Sequence, residues 1–137
     1  MKRAATITLL LFAFFTTIAQ QKKVDSLVNL LSTATDDEHR LSLLKKLSAD
    51  SSAVTITIKY GQEGFALAKK MDRPKDEEVF LLDLAHGYNL NYNYPKELET
   101  TLLGLEISNK INDDVYKCWF ANGISRFNSP MQQYCLS

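Results

Sequence analysis

Two stretches of the chain are near-copies of one another. Gly64-Phe65-Ala66-Leu67-Ala68-Lys69-Lys70-Met71-Asp72 returns 40 positions later as Gly104-Leu105-Glu106-Ile107-Ser108-Asn109-Lys110-Ile111-Asn112. Each copy is followed by a short polar break and an aromatic-rich helical pattern, in which Leu84-Ala85-His86-Gly87 answers Phe120-Ala121-Asn122-Gly123 at an offset of 36. A period of 36–40 residues built from two helices marks a stacked repeat, because one such unit cannot bury its apolar face alone and must lean on the next. The pattern predicts an all-α fold of antiparallel helix pairs stacked as a short solenoid. It points to a binding scaffold rather than a catalyst.

The N-terminus sets the compartment. Lys2-Arg3 precedes an apolar and threonine run from Ala4 to Ile18, closed by the small residues of Thr17-Ile18-Ala19. These are the three parts of a secretory signal peptide, and the run is shorter than the ~20 residues a membrane anchor needs. The expected leader is therefore 1–19, cleaved after Ala19, with the protein periplasmic or secreted. No cysteine near that point would carry a lipid anchor, and no later apolar run is long enough to span a membrane. A helix and linker follow over 20–35, the repeats over 36–127, and a frayed tail over 128–137. Without the leader the chain carries 14 basic and 16 acidic residues. They are interspersed, so the basic stripe that nucleic acid requires is lacking. Cys118 and Cys135 can pair in an oxidising compartment. The favoured reading has Cys118 as a small buried residue on a helix and Cys135 in the tail.

Helical spacing recurs along the whole chain. Val24, Leu27, Val28, Leu30 and Leu31 mark a first helix. Asp36 or Asp37 caps a second with apolar Leu41, Leu43, Leu44 and Leu47. Asp50-Ser51-Ser52 offers caps for the next. The segment Val54-Thr55-Ile56-Thr57-Ile58-Lys59-Tyr60 alternates like a strand. A lone strand has no partner here, so 53–71 is read as one long helix held by tertiary packing. Asp72-Arg73-Pro74 turns into a helix from Lys75 to about Leu90. Asn91-Tyr92-Asn93-Tyr94 is a tight connection whose asparagines accept unusual backbone angles. Pro95 opens a further helix, and Asn112-Asp113-Asp114 breaks and caps again before a last one from Val115 to about Ile124.

The unit from about Glu78 to Ile111 resembles a tetratricopeptide repeat. Leu84 and Ala85 stand at its leucine and small-residue positions, Tyr88 at the first-helix aromatic, Tyr94 at the aromatic opening the second helix, and Gly104 at the late small residue. Glu97 and Thr101 depart from the pattern, standing where alanine and an aromatic are usual, which predicts a loosely packed second helix. Leu44 and Gly64 fit in the unit from about Glu38 to Met71, whereas Thr57 and Gly61 do not; the unit from Asp114 onward is only a first helix. The layout is also similar to the exported N-terminal region of bacterial signal-transduction proteins. The resemblance implies a peptide-holding concave surface made by first-helix residues. On this register Val79, Leu82, His86 and Asn89 line it, and Val115, Cys118 and Asn122 continue it. Leu82 and Cys118 occupy the places where a basic clamp for a carboxylate would need lysine or arginine.

Other chemistry finds little support. His39 and His86 have no zinc-ligand partner at a usual spacing. Asp36-Asp37-Glu38, Asp76-Glu77-Glu78 and Asp113-Asp114 each sit at a predicted helix start, where the dipole favours negative charge. No phosphate loop, dinucleotide fingerprint or nucleophile elbow occurs. Gly61 and Gly64 fall inside a helix, as close packing would require. The aromatics Phe80, Tyr88, Tyr92, Tyr94, Trp119 and Phe120 are expected mostly in the core. The resulting expectation is a non-catalytic, cofactor-free and metal-free module that binds a protein or peptide. The alternative is a truncated periplasmic sensory input region of a membrane histidine kinase or other regulator. A small exported enzyme or metal carrier has no residue cluster behind it. Exposure of Trp119 and Phe120 on the last helix predicts self-association through it, or a missing continuation.

Overall fold

The computed structural model describes residues 21–50 and 53–127. The leader, the tail with Cys135, and Ser51 and Ser52 lie outside the described residues. The fold is all-α, with six helices and no strand among the described residues. They are α1 (21–33), α2 (Asp37–Ser48), α3 (Val54–Lys70), α4 (Pro74–Leu90), α5 (Tyr94–Ile111) and α6 (Asp114–Ser125). Consecutive helices from α2 onward pack on one another, and α4 also reaches back to α2 and forward to α6. α2, α4 and α6 thereby form one row of the stack, and α3 and α5 the other.

The strand-like segment is helical, as read. Val54 to Tyr60 begins α3, with Thr57 and Tyr60 buried. Ala53 stands at its N-cap without a side-chain bond, and the Thr57 hydroxyl donates to the Asp50 carbonyl at 3.0 Å. Burial on α4, rather than capping or propensity, holds this first turn.

Glycine sets the distance between rows. A Cβ on Gly64 would lie 2.1 Å from Phe80 Cε1, and one on Gly104 would lie 2.3 Å from Phe120 Cζ. Gly104 and Phe120 stand 40 positions after Gly64 and Phe80, so the packing repeats with a period of 40. This corrects the offset of 36, which had set Leu84 against Phe120. The turns obey the same ruler at half its length. Arg73, Asn93 and Asp113 donate backbone N–H bonds to the carbonyls of Ala68, Tyr88 and Ser108 at 2.9–3.0 Å. The residue before each donor is left-handed: Asp72 (φ 53°), Tyr92 (φ 56°) and Asn112 (φ 57°). Three helices therefore end in the same bonded turn, 20 residues apart. In the second turn the left-handed residue is Tyr92, not one of the asparagines; Asn93 caps α5 instead, accepting from Lys96 N.

The core runs from α1 to α4. Val24 and Leu31 of α1 meet Leu41, Leu43, Leu44 and Leu47 of α2, Tyr60 and Ala68 of α3, and Phe80 of α4. Beyond it Leu81, Leu84, Tyr88, Phe120 and Ile124 are buried. Tyr92, Tyr94 and Trp119 are exposed instead, so half of the aromatics expected in the core are on the surface. Glu97 and Thr101 do not loosen α5. Both are buried, and the Thr101 hydroxyl donates to the Glu97 carbonyl at 2.7 Å.

Two of the three acidic clusters behave as expected, with Asp36 accepting from His39 N at 2.8 Å and Asp113 from Tyr116 N at 3.3 Å. The third differs. Asp76 pairs with Lys45 and Arg73, joining α4 to α2. Glu78 has no exposed surface and lies in the core.

Candidate interaction groove

Stacking one row of helices two deep leaves a furrow between α4 and α6, floored by α5. It is a groove of about 530 Å³. Leu82, Asp83, Ala85 and His86 come from α4, Thr101 from α5, and Trp119, Phe120, Asn122 and Gly123 from α6, with Arg126 just beyond it. Gly123 lets α6 approach α5, since a Cβ there would lie 2.9 Å from the Thr101 methyl. The furrow therefore sets apolar Leu82, Ala85, Trp119 and Phe120 on its walls among the polar Asp83, His86, Asn122 and Arg126.

Its polar groups are held from behind. The Ser48 hydroxyl on α2 donates to Asp83 Oδ2 at 2.6 Å. Burial pushes the Asp83 carboxyl above its ordinary range, with the Ser48 bond and the nearby His86 pulling the other way. Beneath Arg126 lies Glu97, only 1 % exposed. Asn89 Nδ2 donates to Glu97 Oε2 at 2.9 Å, and Arg126 Nη2 is 3.3 Å from Oε1. That approach neutralises charge but lacks hydrogen-bond geometry, leaving Oε1 without a bonded donor. Trp119 stands 59 % exposed on the rim.

The residues expected on the concave face divide. Leu82, His86 and Asn122 line the groove. Val79 is half-buried away from its lining, and Asn89 turns to Glu97. Val115 is 65 % exposed in the first turn of α6, and Cys118 is half-buried. Asp83, Thr101, Trp119 and Arg126 were not foreseen. The signal for Trp119 was present: at the true period of 40 it succeeds Val79, and Asn122 succeeds Leu82. Among the described residues no cluster of histidine, cysteine and carboxylate could hold a metal ion, and no helix is long and apolar enough to cross a membrane.

No family model matches the chain. Neither a curated protein nor a solved structure gives a match.

Proposed function

We propose that the chain is an exported, non-catalytic helical-repeat module, tetratricopeptide-like in design, that holds a segment of another polypeptide in the groove between α4 and α6. The observation that carries this reading is the groove itself: apolar walls interspersed with polar groups and an exposed tryptophan. Such a surface offers a partner burial of apolar area together with a few directional contacts. Its walls are formed helices, packed through Gly104 on Phe120 and through Ser48 on Asp83, so no loop has to order when a segment binds. The leader-like N-terminus supports export.

Panning random displayed peptides against the chain tests the reading. Related peptides should be enriched on the wild type and lost on a Leu82→Glu variant, which sets a charge on the apolar wall. Enrichment of no family, or of peptides that both proteins bind equally, rejects the groove.

A further inference from the structure

The bases and acids of the groove are not equivalent. Arg126 is its single lysine or arginine, and its guanidinium rests on the buried Glu97 carboxylate. An acidic partner drawing Arg126 away would strand that carboxylate without a counter-charge, a costly outcome for a group so buried. Asp83 is the opposite case. Its only bonded partner is the Ser48 hydroxyl, at one oxygen; no lysine or arginine among the described residues pairs with it. The Tyr116 phenol, whose ring packs 6.2 Å from that of Phe120, is pushed up first by burial and then by Glu78, Asp113, Asp83 and Asp76. Asp76 is already paired with Lys45 and Arg73, whereas Asp83 faces the groove unpaired.

From this charge pattern we infer that the occupant of the groove is a peptide segment presenting an arginine between apolar residues. The arginine stem lies between the apolar walls, beside Leu82 and Phe120. Its guanidinium takes the open oxygen of Asp83 and stacks on the exposed face of Trp119. A planar cation suits both contacts at once, which a lysine ammonium does not. The inference rests on the groove reading above and adds the chemistry of the partner.

Trp119 is the only tryptophan in the chain, so its emission reports the groove directly. Three capped pentapeptides, identical but for a central arginine, citrulline or glutamate between leucines, are titrated against the intact chain. Citrulline keeps the shape of arginine and removes its charge. The arginine peptide should shift Trp119 emission saturably and bind at least about tenfold more tightly than either twin, one charge-assisted contact being worth about that factor. Asp83→Asn retains an acceptor for Ser48 and should bring the arginine and citrulline peptides to equal affinity. Equal binding of arginine and citrulline by the wild type, or tighter binding of glutamate, overturns the inference and leaves the groove reading standing. An emission unmoved by all three overturns both.

Discussion

Gly104 has no room for a side chain. A Cβ would meet Phe120 Cζ at 2.3 Å, and the Phe120 ring is 1 % exposed. In an open helix, replacing glycine with alanine would stabilise by about 1 kcal/mol. Here overpacking opposes that gain, and with three ring atoms within 2.6 Å of the Cβ it falls in the upper part of its usual range, at roughly 2–3 kcal/mol. Gly104→Ala should therefore lower stability by about 1–2 kcal/mol in urea denaturation, and Phe120→Leu in the same chain should recover part of the loss. A Gly104→Ala variant as stable as the wild type would show that Phe120 does not set the spacing of the rows. The need for small residues was legible in the sequence, because glycine inside a helix asks for a reason. What each glycine meets was not, since the letters of Leu84-Ala85-His86-Gly87 and Phe120-Ala121-Asn122-Gly123 align at 36 while the side chains pack at 40.

Between elements, Glu78 is the unusual contact. It stands on α4 with no exposed surface, and neither of its oxygens is hydrogen-bonded. The nearby Ser108 hydroxyl donates to the Gly104 carbonyl at 2.8 Å, so toward Glu78 it has only lone pairs to offer. A proton on Glu78 completes that link. Burial raises the Glu78 carboxyl above its ordinary range, Asp113 raises it further, and Lys75 opposes. A carboxyl whose folded pKa is raised contributes stability that is fully present below its unfolded pKa and lost as pH rises through the folded one. Glu78→Gln has no proton to lose. Relative to the wild type it should be near neutral at pH 4 and more stable by about 1 kcal/mol at pH 8; Asp83 and Glu77, which burial raises likewise, are common to both proteins and cancel in that difference. Denaturation midpoints at both pH values decide the matter, and identical differences at the two would remove Glu78 as their source. Elements were well read where packing and periodicity agree, as in α3, where the alternation of Val54 to Tyr60 has no strand to pair with. Glu78 was misplaced because acidic residues in a helix's first turn usually face water, and only the packing of α5 and α6 over α4 puts this one in the core.

Over the whole molecule, the stack is a line in which each helix leans on its neighbours, so resistance to opening varies along it. Among the described helices α2 to α6, α4 is packed on α2, α3, α5 and α6, whereas α6 rests on α5 and α4. α6 also exposes Val115 and Trp119, and its buried side is Phe120, Gly123 and Ile124. Amide hydrogen exchange under native conditions should therefore release α6 first and α3 and α4 last, with α6 amides exchanging at least roughly tenfold faster, a gap of about 1.4 kcal/mol in opening free energy. Uniform protection from α3 to α6 would mean instead that these four helices open as one cooperative block. The gradient bears on binding, because the groove borrows one wall from the firmest helix and the other from the loosest. Filling it would tie α6 to α4 through side chains that the empty chain leaves apart, and a bound segment would appear in the same experiment as slowed exchange confined to α6.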